Sequence, residues 1–433
     1  MLLHVSRSPS TRRLLSSGRL CCCWMSTPST TTSRSGTTAN TASGQPSLDA
    51  DEPRPVWGTW SRNELAAEPE RAKGDAFFEL ELEKWQGAVA AYDEGLGPVT
   101  RQCIPTLLDE ARFLSPAGGG GADDLLDVAT GPGYVLTAAL AMRAAPGQAG
   151  QGLTTPEAVA AWRGSFVGLD FSSNMLDAAE RRLAEGFYST TGGGEGEGGG
   201  AAGIDAAGRI QLVRGDAQAL PFPDGSFDCV TCNYGILHLG QPDAFLAEAH
   251  RVLRPGGRLA FSVWAAPPAT AAFALILGSV GAAGNPDVPL PPGPPFFRFS
   301  DADEAARSLG AAGFEDARSV EVEQTWGLRA ATEAAHKTGT GAAGGAGGGG
   351  GGKWDAGPAS AALFDVFLRG TARTGALLAG QTPEEAAAVR REIEARLQAA
   401  VDEGRFQLSS GTGTTAAVLM PMPAVVSSGR KVR

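Results

Sequence analysis

The 433 residues contain only four histidines and six cysteines, and Lys and Arg form no long runs. Each shortage excludes something. Cys229 and Cys232 make a single C-x-x-C on a stretch that reads as a strand, where residues three apart point to opposite faces. No second C-x-x-C exists, and no His-x-Glu or His-x-x-x-His lies nearby, which argues against a metal site. Cys21, Cys22, Cys23 and Cys103 do not supply the framework of a disulfide-built secreted fold. A net charge of −11 without basic runs argues against a nucleic-acid substrate, because an acidic chain is repelled by a phosphate backbone. The apolar stretch 269–283 is too short to span a bilayer and reads as a buried or lid helix. No Ser-His-Asp or Cys-His arrangement is visible.

Acid is missing altogether from residues 1–48, which carry five Arg, no Lys and nineteen Ser or Thr. This is the composition of an organelle transit peptide, with Arg12-Arg-Leu-Leu15 as a short basic segment. A secretory signal is excluded, since the apolar run Leu20–Met25 is short and broken by the cysteine triplet. The reading favours the mitochondrion, with the chloroplast as alternative. Loss of five positive charges would take the mature chain from −11 to about −16.

Glycine, by contrast, is abundant at 60 residues, and tracts at 118–121, 192–200 and 339–352 account for much of the excess. Such tracts bury no apolar surface and are read as loop insertions. What remains, residues 60–430, is read as one α/β domain with a motif core at 120–265 and a lid and acceptor region at 266–430, interrupted by the Gly-rich loop 338–353. Trp85, Val89 and Tyr92 share a face of the helices expected over 60–113, and Trp85 and Tyr92 are candidate lid or packing residues.

The stretch Leu125-Leu-Asp-Val-Ala-Thr-Gly-Pro-Gly-Tyr-Val135 reads as strand, glycine turn and then a helix over Leu136–Ala145. Glycines there let the backbone pass close to a ligand. A second buried strand ends in a carboxylate, Ser165-Phe-Val-Gly-Leu-Asp170, and a helix over 173–186 follows, capped by Ser172 or Ser173. A third strand, Ile210-Gln-Leu-Val-Arg, runs into Gly215-Asp-Ala217 and Leu220-Pro-Phe-Pro-Asp-Gly-Ser-Phe-Asp228. The fourth strand, Phe227–Tyr234, brings Asn233, Tyr234 and His238 to its carboxyl end. A helix over 242–253 and the turn Leu253-Arg-Pro-Gly-Gly257 lead into a fifth, where Pro255 stops the helix and the glycine pair supplies positive φ. Further on come a proline-rich loop at 286–299, a helix at 301–312, a strand near Val320–Trp326, two helices and a closing strand at 417–426. The last helix carries the packing stripe Val389, Ile393, Leu397 and Val401.

These motifs resemble the class I S-adenosylmethionine (SAM) dependent methyltransferases. Asp127, Gly131 and Gly133 fall on the first motif, an acidic residue followed by spaced glycines, with Ala129 where the family most often has its first glycine. The competing dinucleotide pattern G-x-G-x-x-G requires a third glycine where Leu136 stands. Asp170-Phe171-Ser-Ser-Asn-Met175 looks like the second motif. Gly-Asp216-Ala217 followed by Leu-Pro-Phe is similar to the third motif of the ubiquinone and menaquinone biosynthesis branch, and Leu253-Arg-Pro-Gly-Gly to the turn before strand five.

The resemblance implies a Rossmann-like, seven-stranded, mostly parallel sheet with an antiparallel last strand, helices on both faces and helical lid insertions. It implies SAM as cofactor, with Asp170 accepting from the ribose hydroxyls, Met175 against the adenine, Asp216 on the adenine amine and Ala217 beside the ring. Asp127, Ala129, Gly131, Gly133, Phe171 and Asn233 complete the expected cofactor site. SAM carries an activated methyl group, so the protein chiefly aligns donor and acceptor. His238 is the candidate base, since imidazole ordinarily titrates near neutrality. Phe296, Phe297, Phe299 and Trp326 suggest an apolar pocket for a small hydrophobic acceptor. The rival readings are a SAM-binding assembly protein in an organelle and a nicotinamide-dependent oxidoreductase.

Overall fold

A computed structural model of the chain describes residues 75–113, 124–142, 164–188, 210–328, 354–409 and 417–432. The transit-peptide reading of 1–48, the start of the first helical region at 60–74, the enlarged loop at 146–163 and the three glycine tracts lie outside the described residues.

Ten strands are described: β1 Leu125–Val128, β2 Phe166–Asp170, β3 Ile210–Arg214, β4 Phe227–Asn233, β5 Leu253–Trp264, β6 Glu315–Val322, β7 Thr325–Leu328, β8 Gln407–Leu408, β9 Val418–Pro421 and β10 Ala424–Arg430. Seven of them form one sheet in the order β3-β2-β1-β4-β5-β10-β6, with β7-β9-β8 as a small second sheet. β1 pairs in parallel with both β2 and β4, so the chain order reverses there and the loops after β1 and β4 part to leave a crevice. β10 returns antiparallel between β5 and β6, Val425 opposite Val263 and Val426 opposite Val320. This is the sheet that the resemblance implied. Every residue of β1 and β2 is buried, as expected of central strands covered on both faces.

Among the described residues four helices precede the sheet: α1 Ala76–Gly87, α2 Val89–Glu94, α3 Gly97–Thr100 and α4 Ile104–Glu110. Asp75 caps α1, accepting from the Phe77 and Phe78 amides at 3.0 and 3.2 Å. Crossover helices α5 Tyr134–Met142, α6 Ser173–Tyr188 and α7 Pro242–Val252 follow in turn. α5 begins at Tyr134, two residues before the expected Leu136, because Gly133 already takes the turn at φ +77°. The end of α1 is tied to the start of α6, where Gln86 Oε1 accepts from Ser172 Oγ at 3.1 Å and Asn174 Nδ2 donates to the Gln86 carbonyl at 2.8 Å.

Leu253–Gly257 is the start of β5 and not a separate turn, and only Gly256 has positive φ, at +87°. Gly257 is small for a different reason: a Cβ there would lie 2.8 Å from the Asp228 carbonyl oxygen. Arg254 is held between Asp124 and Asp228 at 2.9 Å each, tying this stretch to the ends of β1 and β4.

Beyond β5, α8 Ala271–Ala283 is buried, α9 spans Ala302–Ala311, and the C-terminal region contains α10 Gly357–Gly370, α11 Arg373–Ala379 and α12 Pro383–Asp402. The sequence reading gave two helices here; the chain turns at Thr371-Ala372 and makes three. The strand expected near 320–326 is two strands in different sheets, and 417–426 likewise divides into β9 and β10. On α12, Val389, Ile393 and Leu397 are fully buried as expected, while Ala400 takes the buried place and Val401 is half-buried.

Candidate active site

The loop after β1 is wound by three left-handed residues, Ala129, Gly131 and Gly133, at φ +53°, +52° and +77°. An alanine in that conformation is strained, which shows why glycine suits the first position. Asp127 holds the loop from below. Its carboxylate accepts from Thr130 Oγ1 at 2.6 Å and from Thr231 Oγ1 of β4 at 2.9 Å. Burial pushes this carboxyl up to about 7, against the pull of the two hydroxyls.

The ligand crevice opens above that loop. Ala129, Gly131, Asp170, Phe171, Met175, Asp216, Ala217, Asn233 and His238 all line one cavity. Asp127 and Gly133 are not in its wall: Asp127 is buried beneath the loop, and Gly133 packs against Ala179 of α6, where a Cβ would meet Ala179 Cβ at 3.1 Å. Their place is to shape the loop.

Asp170 ends β2 with both carboxylate oxygens engaged by backbone. Oδ2 accepts from the Gly131 amide and Oδ1 from the Ser172 amide, each at 2.9 Å. Burial raises its pKa to about 6, and the same amide donors hold it below what burial alone would give. Each oxygen retains a second acceptor site. Asp216 Oδ1 accepts from the Gln218 amide at 2.8 Å and from Gln218 Nε2 at 3.1 Å, which fixes the carboxylate at the cavity edge. Asn233 is locked by Nδ2 donating to the Thr100 carbonyl at 3.1 Å and by Ser262 Oγ donating to Oδ1 at 2.7 Å. Cys103 lies behind it, its Sγ 3.2 Å from Asn233 Oδ1, and burial pushes that thiol up to about 11, which makes it unreactive.

His238 closes a short 3₁₀ turn after β4, Gly235–His238. Its Nδ1 lies 3.0 Å from Oε2 of Glu81, and Trp85 Nε1 donates to the same oxygen at 3.1 Å. Glu81 is fully buried on α1, and its Oε1 has no partner among the described residues. The Trp85 ring meets the imidazole edge-on at 4.8 Å, and Phe296 meets it at 5.9 Å. Trp85 and Tyr92 do line the cavity, whereas Val89 does not.

The apolar wall differs from the expected one. Of Phe296, Phe297, Phe299 and Trp326, only Phe296 lines the cavity; Phe299 packs on Phe261 and Trp326 on Phe367, as core. Phe77, Phe78, Trp264 and Phe273 supply the rest, and Thr371, Arg373 and Thr374 come from the α10–α11 junction. Nothing in local sequence marks these, since helices distant in the chain bring them together. Among the described residues no group of His, Cys, Asp and Glu could hold a metal ion, and no helix is long and apolar enough to cross a membrane.

Residues 148–261 match the family described as a methyltransferase domain. Over that stretch the chain carries a methyltransferase domain, and its sheet, with the antiparallel β10 beside β5, is that of the Rossmann-like methyltransferase fold. Its similar relatives include a demethylmenaquinone methyltransferase of Clavibacter sepedonicus, 36% identical over 36% of this chain and 46% of the relative. Another, from Parafrankia sp., is 41% identical over 26% of this chain and 43% of the relative. A ubiquinone/menaquinone biosynthesis C-methyltransferase of Methylobacterium nodulans is 56% identical over 13% of this chain and 23% of its own length. The chain thus spans less than half the length of these curated relatives. The cofactor of the domain is SAM.

Proposed function

We propose that the protein transfers a methyl group from SAM to a small, largely apolar acceptor. The observation that carries this is Asp170: a buried carboxylate at the carboxyl end of β2, aimed into the crevice and pinned by two backbone amides, with acceptor capacity left over. Paired hydroxyls on a ribose are the donors that this arrangement suits. Asp216, just past the next strand outward, keeps acceptor capacity on Oδ2 for an exocyclic amine beside its long 3.4 Å contact from Gln218 Nε2, and Met175 and Ala217 offer apolar contact to a purine. SAM supplies a methyl group on a sulfonium, already activated for transfer. The aromatic wall of Trp85, Tyr92, Phe273 and Phe296 excludes water and holds the acceptor, and His238 takes a proton where the acceptor must lose one. The quinone-methyltransferase relatives support a hydrophobic acceptor.

Calorimetric titration of S-adenosylhomocysteine and of NADH tests the reading. The nucleoside thioether should bind and the dinucleotide should not. Asp170→Ala should weaken SAM and S-adenosylhomocysteine alike by roughly 10- to 150-fold, the value of a hydrogen bond to a charged group. Equal affinity in wild type and variant would remove the ribose assignment. For residues 1–48 we infer import into an organelle, the mitochondrion favoured, from their five arginines and lack of acids. A fusion of this segment to a fluorescent protein should concentrate in mitochondria; a diffuse cytosolic signal refutes import.

A further inference from the structure

Arg373 puts a positive charge into the cavity wall. It is the only Lys or Arg among the described residues lining the cavity. Its guanidinium lies over the Phe77 ring, 5.4 Å from the centroid, and donates through Nη1 to the Pro294 carbonyl at 2.8 Å. No described carboxylate pairs with it. By contrast, Arg182, Arg251, Arg254 and Arg298, also half-buried, each hold a carboxylate at 2.6–2.9 Å.

The position of Arg373 relates it to the reacting end. Pro294, which it grips, is two residues from Phe296, whose ring meets His238 at 5.9 Å. Two residues of chain span at most ~7 Å. The guanidinium and the imidazole therefore flank one short stretch of the loop before α9. A guanidinium offers five donors in a planar fork that matches an oxyanion, and only one is spent here on backbone. The Phe77 ring face offsets only part of the cost of holding this half-buried cation without a counter-ion, and a ligand anion would complete the neutralisation.

We propose that Arg373 forms an anion subsite at the acceptor end of the cavity, so that the acceptor is an apolar body bearing a carboxylate or phosphate group. The inference rests on the methyl-transfer reading only for calling this the acceptor end; the anion subsite itself is independent of it. Binding to the full chain is measured by calorimetry for 2-naphthoate and 2-naphthyl phosphate against the uncharged 2-naphthamide, with and without S-adenosylhomocysteine. One of the anions should bind about 10- to 150-fold more tightly than the amide. Arg373→Met should erase the difference, and Arg373→Lys, which keeps the charge without the fork, should keep part of it.

Equal binding of anions and amide, no saturable binding of either anion, or a preference that survives Arg373→Met would overturn the proposal. So would a variant that weakens S-adenosylhomocysteine but spares 5′-methylthioadenosine, which lacks the amino-acid carboxylate; Arg373 would then belong to the cofactor. If S-adenosylhomocysteine does not bind even to the wild type, the methyl-transfer reading fails, and the naphthoate series without nucleoside still decides the subsite.

Discussion

Glu81 is a carboxylate with no exposure to solvent, and such a group is costly unless partners hold it. Two partners converge on its Oε2, the imidazole of His238 and the indole of Trp85. An ionised Glu81 makes Nδ1 of His238 the donor and leaves Nε2 as the acceptor, the form that a proton-abstracting imidazole requires. With an acceptor that supports turnover, His238→Ala should lower kcat by roughly 10²- to 10⁴-fold and leave S-adenosylhomocysteine affinity nearly unchanged. Glu81→Gln keeps a hydrogen-bond acceptor for Nδ1 but removes the charge that favours imidazolium. Its kcat should therefore fall while S-adenosylhomocysteine affinity is kept, and an unchanged kcat would leave the carboxylate a structural role only. Unchanged turnover in His238→Ala would return the imidazole to packing. His238 was legible in the sequence because it follows the carboxyl end of a recognisable strand. Glu81 was not: its partner stands 157 residues away, and nothing in a helix of mixed charge distinguishes the one glutamate that the fold buries.

At the level of elements, the glycine loop and the 3₁₀ turn after β4 are fitted to each other. A Cβ on Gly235 would sit 2.3 Å from Ala129 Cβ and 2.8 Å from Cys232 Sγ. Gly235→Ala should lower the melting temperature, by an overpacking cost of about 1–3 kcal/mol, and should weaken S-adenosylhomocysteine by displacing the loop. Ala129→Gly alone should be near neutral, since relief of a left-handed alanine offsets the added freedom of glycine in the unfolded chain. Combined, it should restore part of what Gly235→Ala loses, the Cys232 contact remaining. Additive effects in calorimetric unfolding, within about 0.5 kcal/mol, would show that the two elements are not coupled. The strands that build this junction were readable as apolar runs ending in Gly or Asp. Breaks in the C-terminal half were not. β6 and β7 separate at Gln324, a buried side chain that accepts from Tyr234 OH at 2.7 Å and donates to the Val99 carbonyl at 3.1 Å, partners no local pattern predicts. β9 and β10 separate at Pro421-Met-Pro423, where two residues without an amide donor end the strand of the small sheet and the chain enters the seven-stranded one.

Across the whole molecule, the carboxyl edge of the sheet sets how stability depends on pH. Burial lifts Asp127 from its ordinary 3.8 to about 7 and Asp170 to about 6. The folded chain therefore holds protons that the unfolded chain has released between about pH 4 and 7, and the ligand-free protein should lose stability as pH rises through that window. His250, held below its ordinary 6.5 by burial, acts in the opposite sense, losing stability as pH falls through that value; its ring is partly open to solvent, so its effect is the smaller one. Glu110 and Glu248, both held low, lose their contribution only on acidification below about 4.5; Arg251 is the leading cause for Glu248, and for Glu110 the Arg318 and Ser428 hydrogen bonds outweigh burial. Thermal unfolding from pH 5 to 8 should thus show the ligand-free chain less stable at pH 8 than near pH 5.5, with the slope reduced in Asp127→Asn. Ligand reverses the trend. Ribose hydroxyls donate to an ionised Asp170, so the stabilisation given by S-adenosylhomocysteine should grow as pH rises through about 6, and Asp170→Asn should abolish that growth. A ligand-induced shift in melting temperature that is the same at pH 5 and pH 8 would mean that Asp170 does not meet the ligand in its charged form.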